Sequence, residues 1–377
     1  MIIGIEASSL EGQRTGVGRY LLNLLNQWNQ RENTQVKFIL YFKDEIPVDL
    51  NLKSSLFKKR IVKSRFSSNA LFLHYFLPKA VKEDRVDLLF CPAYIAPLFY
   101  KEPIALTLHD IIYEARPRLY NWPSFLDRFL LRKVSAWSAK KAKVILTPSE
   151  FSRQEVLKYY QVEPEKVMTT HLATDDSFEL IADKESIETA KKKLGVKNKY
   201  LLYIGSIFNR RHLPEIICSF KEVANDFPDY QLLIIGKNHT SPWINLEHLI
   251  ETMNREIGRD LIVWKKYLDS QDLSYIYNGA DLLVWLSDYE GFGLPVLEAM
   301  ACGTPVLTTK STSLAEIAAD SALFIKDNKD IKAIQEEMHK GLTDKKIRQE
   351  LIEKGFKRVE DFSWSKCAEK TLEALQR

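Results

Sequence analysis

The stretch Asp281–Thr309, DLLVWLSDYEGFGLPVLEAMACGTPVLTT, compresses strand, loop, short helix, turn and strand into fewer than thirty residues. Leu282 to Leu286 is a continuous apolar run, which suits a parallel strand buried on both faces. Gly291 and Gly293 make a loop in which backbone can come close to a ligand. Pro295 fits the first turn of a helix, where its missing N–H costs nothing. Gly303 fits just past the helix end, with Pro305 behind it. Glu290 precedes that helix and Glu298 lies on it, with seven residues between them. Backbone N–H groups at the helix start favour an anion held between the two carboxylates. Carboxylates for hydroxyls and amides for phosphate suit a sugar joined to a diphosphate.

The rest of the chain supplies a sheet for this unit. Ile2–Ala7, Val36–Phe42, Leu88–Cys91, Ile104–Leu108 and Val144–Thr147 read as strands with helical segments between them. Tyr200–Ile204, Leu232–Ile235, Leu261–Trp264, Leu282–Leu286 and Val306–Thr308 form a second such series. The alternation implies parallel sheets covered by helices, an α/β fold. At 377 residues the chain is long for one core, so two domains are expected. The polar segment Thr174–Lys199, with a lysine-rich helix at Glu185–Leu194, reads as the linker. The expected domains are residues 1–175, 176–360 and a C-terminal amphipathic helix at 361–377.

Cys91, Cys218, Cys302 and Cys367 lie far apart, without CxxC or an accompanying His spacing. Neither zinc nor a disulfide framework is expected, and a reducing compartment fits. MIIGIEASS is too briefly apolar for a signal peptide, and no stretch approaches a membrane span of roughly 20 residues. Charge is uneven. Residues 1–175 hold 26 Lys+Arg against 18 Asp+Glu, a balance of +8, and the remainder holds 28 against 32, a balance of −4. One basic cluster is Lys58, Lys59, Arg60, Lys63 and Arg65. The other is Arg128, Arg132, Lys133, Lys140, Lys141 and Lys143, interleaved with Phe129, Leu130, Val134 and Trp137 on a helix. Two readings stand: a solvated helix with an ordinary core face, or docking on an anionic membrane surface. No nucleic-acid motif accompanies the charge, so nucleic acid is not expected as a partner.

Three strand ends carry further candidates. TGVGRYLLNLLNQW places Gly16 and Gly18 at a strand-to-helix turn, where phosphate or sugar can meet backbone amides. A tight turn without ligand reads equally well. His109-Asp110 follows a strand at the carboxyl edge, where open α/β sheets bind ligands. GSIFNRRHLPEII ends a strand at Gly205 and sets Arg210 and Arg211 before a helix. Two adjacent cations there suit a diphosphate. The chain offers Asp175-Asp176, in the linker and without a third ligand, so no metal and no other cofactor is expected.

With these elements the full length resembles the retaining glycosyltransferases of family 4, also called group 1 glycosyl transferases. Their architecture is GT-B: two Rossmann-like domains facing a cleft, with a C-terminal helix crossing back to the first. The most specific element is the E-x7-E motif in EGFGLPVLEAMACGTPV. GSIFNRRHL resembles the family's Gly…Arg-Lys-Asn element, with arginine at 211 and histidine at 212 as departures. LHD and TGVGRY resemble acceptor-domain elements. The resemblance implies that Glu290 holds the donor sugar's hydroxyls and Glu298 the nucleotide ribose. It implies that amides of Phe292, Gly293 and Leu294 meet sugar and phosphate, and that Arg210 and Arg211 neutralise the diphosphate. It implies too that His109 contacts the transferred sugar and that Gly16 approaches the phosphates. The function implied is transfer of a hexose, with mannose from GDP-mannose as the donor, to a saccharide or lipid-linked acceptor in polysaccharide or lipopolysaccharide biosynthesis. The location would be cytoplasmic, peripheral on the inner face of the plasma membrane. The alternatives are a GT-B nucleotide-sugar epimerase, a phosphorylase, a non-catalytic nucleotide-sugar-binding protein, and an NAD enzyme. The last lacks the third glycine of the dinucleotide fingerprint, since position 21 is Leu21.

Overall fold

The computed structural model describes residues 1–14, 16–31, 35–53, 55–63, 68–122, 124–197 and 199–377, with 125 and 270 described without their side chains. Thr15 of the TGVGRY turn and Arg65 of the first basic cluster lie outside the described residues.

Among the described residues two sheets form, and every pairing in them is parallel. The first is ordered β3-β2-β1-β4-β5-β6-β7. Its strands are β1 (Ile2–Glu6), β2 (Lys37–Phe42), β3 (Phe57–Ile61), β4 (Leu88–Cys91), β5 (Ile104–Thr107), β6 (Val144–Thr147) and β7 (Val167–Thr169). The second is ordered β10-β9-β8-β11-β12-β13. It comprises β8 (Lys199–Ile204), β9 (Tyr230–Ile235), β10 (Ile262–Lys265), β11 (Leu282–Trp285), β12 (Val306–Thr309) and β13 (Leu323–Ile325). The central strands are apolar on both faces because helices cover both. Every residue of β9, β11 and β12 is buried. Burying each such Val, Leu or Ile contributes about 1.5–3 kcal/mol.

Three strands had no expectation in the sequence. β7 and β13 are three residues each, too short for a periodic signal. β3, FKKRI, is the basic cluster itself, seated at a sheet edge where charge is tolerated and guards against further pairing. Its cations are partnered: Arg60 meets Glu83 at 2.5 Å and Asp84 at 2.6 Å, Lys58 meets Asp84 at 3.1 Å, and Lys59 donates to the Leu50 carbonyl at 2.8 Å.

Two compact units divide the chain: Met1–Leu172 with Ser363–Arg377, and Ala173–Phe362. The C-terminal helix Trp364–Gln376 thus returns to the first unit. Ser363 caps it, accepting from Lys366 N at 3.1 Å. It packs on the helix Gly16–Asn29, whose Trp28 donates its indole N–H to the Ala368 carbonyl at 2.9 Å. In the second unit the helix Leu213–Asp226 buries Ile216, Ile217, Phe220 and Val223, as its spacing predicts. No helix among the described residues is long and apolar enough to cross a membrane.

In the second sheet the strand order reverses between β8 and β11. Loops leaving the carboxyl ends of two such neighbours run apart and leave a crevice, the usual ligand site of an open α/β sheet.

Candidate active site

The loops leaving β8 and β11 carry the two most specific sequence elements. Gly205 ends β8 with φ at +131°, and a Cβ there would stand 2.7 Å from the Trp285 ring. Gly236 ends β9 with φ at +150°, and a Cβ there would stand 1.9 Å from the Gly205 carbonyl oxygen. Only glycine fits either place. The two glycines let the β8 and β9 ends lie against each other, with Gly205 N donating to Ile235 O at 2.8 Å. The chain then turns into the short 3-10 segment Asn209–Arg211.

Arg211 is fixed from three directions. Its Nε and Nη2 donate to the two Glu290 carboxylate oxygens at 2.7 and 3.1 Å. Its Nη1 donates to the Ser206 carbonyl at 2.6 Å. Its guanidinium lies 4.4 Å from the Trp285 ring centroid, a cation–π distance. Arg210 lies over Phe208 at 4.1 Å, and its carbonyl accepts from Asp288 N at 2.9 Å. The β8 and β11 loops are thus joined by backbone and side chain alike. Burial alone would raise the Glu290 pKa. Arg211, through charge and hydrogen bonds, and Arg210, through charge, overcome this and hold it below the usual carboxylate range.

Behind Glu290 the chain enters the helix Leu294–Ala301, with Pro295 in its first turn and Gly303, at φ +73°, just past its end. Gly293 is the N-cap at φ +116°, and having no side chain it leaves the first-turn amides without a side-chain cap. Phe292 is buried edge-on against Phe362, at 5.8 Å between centroids. Glu298, 7% exposed, accepts from the Tyr277 hydroxyl through Oε2 at 2.7 Å. The Glu290 carbonyl accepts from Ser313 Oγ at 2.8 Å. Gly205, Arg210, Arg211, Glu290, Phe292, Gly293 and Leu294 therefore belong to the carboxyl edge of the second unit's sheet, and Glu298 lies one turn further along the helix, against Tyr277.

Gly16 and His109 belong to the first unit. Gly16 opens its helix, and a Cβ there would meet nothing within 4 Å. Gly18 differs: a Cβ would lie 2.3 Å from the Ser9 carbonyl, so its role is close packing. His109 follows β5, with Nε2 2.9 Å from the Pro92 carbonyl. A carbonyl only accepts, so Nε2 carries the proton and Nδ1 is the acceptor nitrogen. The Tyr20 ring packs edge-on against it at 4.9 Å. Burial lowers the His109 pKa to about 4, against the smaller opposing effect of the Pro92 bond, so the ring is neutral near pH 7.

Sequence reasoning missed several contributors. Gly236 had a signal, because LLIIG repeats the strand-then-glycine pattern of LLYIG. Trp285 reads as one more core residue of a strand, and nothing local marks it as the floor under Arg211. Tyr277, Ser206 and Ser313 act through contacts from distant segments. Among the described residues no group of three or more His, Cys, Asp or Glu is placed to hold a metal ion.

A doubly wound sheet with clustered arginines and carboxylates at its switch point has the charge and the amide donors that suit a phosphorylated sugar or nucleotide. The family model described as "Glycosyl transferases group 1" matches residues 185–358, and "Glycosyltransferase Family 4" matches residues 14–178. O-antigen chain mannosyltransferase B of Escherichia coli is 30% identical over 288 residues, covering 75% of this chain and 74% of that one. The serotype-specific mannosyltransferase WbdA of Escherichia coli is 26% identical over 272 residues, 71% of this chain but 33% of that longer protein. In fold, WaaG, a glycosyltransferase involved in lipopolysaccharide biosynthesis, aligns with a TM-score of 0.71 at 19% identity over 98% of each chain. Anabaena HepE, in complex with UDP and glucose, aligns with a TM-score of 0.76 at 14% identity over 100% of this chain and 99% of its own. The chain belongs to glycosyltransferase family 4. It is a glycosyltransferase with the GT-B fold.

Proposed function

We propose that the chain is a retaining mannosyltransferase. In this reading it moves mannose from GDP-mannose to a saccharide or lipid-linked acceptor during assembly of a polysaccharide or lipopolysaccharide. The observation that carries the transfer is the meeting of Arg210, Arg211 and Glu290 at the sheet's switch point. Mannose and the polysaccharide setting are supported by the mannosyltransferase relatives. The first unit takes the acceptor and the second the donor.

Breaking the bond between mannose and GDP places negative charge on the departing diphosphate and positive charge on the sugar ring. Arg210, with its carbonyl tied to the Asp288 amide, faces the diphosphate first. Arg211 adds charge while its fork keeps the Glu290 carboxylate oriented toward the sugar hydroxyls. The uncapped amides at the start of the helix Leu294–Ala301 receive phosphate oxygens. Glu298, held by the Tyr277 hydroxyl, is the carboxylate for the ribose. Within the first unit, His109 keeps Nδ1 as an acceptor for a sugar hydroxyl. The acceptor attacks from the leaving-group face, and the departing phosphate takes its proton. Glu290 and Glu298 are hydroxyl clamps in this scheme, not the acid and base of a hydrolase. The scheme needs no divalent metal, and transfer rates unchanged by EDTA test that point.

A thermal-shift screen across GDP-, UDP-, dTDP- and ADP-sugars tests the donor, because a ligand of the native state raises apparent stability. The expected result is the largest rise with GDP-mannose, and a larger rise with any other donor contradicts it. Sugar release that depends on an added saccharide separates transfer from epimerisation.

The first unit also carries an anionic-membrane reading. On the helix Phe125–Lys141, Leu126, Phe129 and Leu130 are 62%, 51% and 47% exposed. Arg128 and Lys133 flank them, while Arg132 is taken by Glu114 at 2.6 and 2.7 Å. Apolar side chains beside unburied cations suit insertion at an anionic lipid interface. Vesicle sedimentation at low salt should show binding to anionic but not neutral vesicles, weakened in Phe129→Ser/Leu130→Ser. Equal binding to both vesicle types removes the reading.

A further inference from the structure

The segment that carries Arg210 and Arg211 ends at His212. This residue adopts a left-handed backbone, φ +50°, at the N-cap of the helix Leu213–Asp226. Its ring is 4% exposed. Nδ1 lies 3.3 Å from Glu215 Oε1 in the first turn of that helix, and Nε2 lies 2.9 Å from Asp288 Oδ1 in the loop after β11. A carboxylate oxygen only accepts, and a neutral imidazole has one N–H. Each ring nitrogen stands within ion-pair distance of a carboxylate without being aligned as a hydrogen bond, and the charge of the two carboxylates favours the doubly protonated ring.

From Asp288 onward the groups are hydrogen-bonded. Its Oδ1 also accepts from Asn328 Nδ2 at 2.9 Å. Asn328 Oδ1 accepts from Thr309 Oγ1 at 2.5 Å, and Thr309 Oγ1 accepts from Ser287 N at 3.2 Å. The network runs along the carboxyl edge through the segments that follow β8, β11 and β13 and the last residue of β12. Its two ends flank the arginine pair and Glu290. The remaining charge facing it is Lys329, after β13, which acts on both Asp288 and Glu215.

We propose that His212 is a positioning residue: an imidazolium held between Glu215 and Asp288, it locks the arginine loop to the Glu290 loop and sets Arg210 and Arg211 for the donor's diphosphate. The proposal rests on the donor reading above for its consequence, but not for its geometry. Burial alone would lower the His212 pKa. Asp288 and then Glu215, each carboxylate close beside a ring nitrogen, raise it to about 9. The lock is thus closed at neutral pH and opens as pH rises through that value.

Two measurements separate the lock from the donor. The first is ligand-free: nitrogen-15 NMR of the full chain, following the His212 ring nitrogens and the Arg211 Nε–H signal from pH 6 to 10.5. We expect both ring nitrogens to be protonated at pH 7, and the Arg211 signal to shift with the His212 titration. A ring with one bare nitrogen at pH 7, or an Arg211 signal indifferent to the titration, overturns the proposal.

The second measurement is calorimetric titration with GDP. Wild-type affinity should fall about tenfold between pH 7.5 and 10. His212→Ala should bind about tenfold more weakly at pH 7.5 and lose less affinity than wild type on going to pH 10, its remaining loss being that of the guanine N1–H proton. His212→Lys, which restores a cation toward Asp288, should recover part of the loss. Asp288→Asn, which keeps the loop's shape if His212→Ala does not fold, should move the midpoint down. Unchanged GDP affinity in a folded His212→Ala overturns the proposal. Absence of GDP binding by wild type sinks the donor reading, and the NMR result then decides the lock alone.

Discussion

Arg211 and Glu290 meet fork to fork, Nε on Oε1 at 2.7 Å and Nη2 on Oε2 at 3.1 Å, with both side chains 12% exposed. Two parallel bonds fix the plane of the carboxylate as well as its place. Lysine, the usual family residue at position 211, donates from a single nitrogen and cannot set that plane. In the proposed donor mode this rigid pair would tie together the groups that meet phosphate and sugar.

Removing one partner of this pair leaves a charge that water reaches poorly. Glu290→Ala should destabilise the second unit by about 3 kcal/mol, the lower end for breaking a poorly exposed pair. Glu290→Gln keeps the shape and should fold. Its transfer rate should drop about 10²–10³-fold, as when a preorganised polar group is removed from a reacting centre. Denaturant melts and initial rates on both variants check the split between stability and chemistry.

Glycines in this chain divide by what a methyl would meet. Gly236→Ala drives a Cβ to 1.9 Å from Gly205 O at φ +150°, so it should lower the denaturation midpoint sharply, by about 3 kcal/mol or more. Gly16→Ala meets nothing within 4 Å. It should leave thermal stability within about 0.5 kcal/mol. Thermal melts of the two variants distinguish them.

Two histidines set opposite pH limbs. His212 has a folded pKa raised to about 9, so its contribution is complete below about pH 6.5 and is lost as pH rises through 9. His109 has a folded pKa lowered to about 4, so the unfolded chain binds the proton first and stability is lost as pH falls from about 6.5 towards 4. His212→Ala should flatten the alkaline limb of melting temperature against pH, and His109→Gln should soften the acid limb. An alkaline limb equally steep in His212→Ala would rule out that assignment.

Thr312 stands at φ +57°, a backbone that β-branched side chains avoid, and its buried hydroxyl has no hydrogen-bond partner among the described residues. Such strain costs on the order of 1–3 kcal/mol, part of which is offset by the flexibility glycine adds to the unfolded chain. Thr312→Gly should therefore raise the melting temperature. Its neighbour Ser313 holds the Glu290 carbonyl, so a fall in transfer rate with the rise in stability would mark the strain as functional.

Much of the second unit was legible because its strands are buried on both faces and read as apolar runs ending at glycines. The E-x7-E stretch folds as its residues dictate: Pro295 in the first helical turn, Gly293 as the cap, Gly303 past the end. What escaped was either short or non-local. β13 has three residues, β3 hides as a basic run at an edge, and Tyr277, Trp285 and Asp288 act across the sheet rather than along the chain. The arginine pair was visible, but not that Glu290 engages one of the two, since that contact joins residues 79 apart. His212 was visible only as a departure from the family pattern, and its pairing with Asp288 needed the fold.

The most direct test is transfer itself. Purified chain is given GDP-mannose, or the UDP-, dTDP- or ADP-sugars in parallel, with a lipid-tailed mannosyl disaccharide as acceptor, and the product's anomeric configuration is read by NMR. The account predicts mannose transfer from GDP-mannose with the α configuration kept, and at least a hundredfold loss in Arg210→Ala. Transfer with inversion, or an Arg210→Ala variant as fast as wild type, would contradict it.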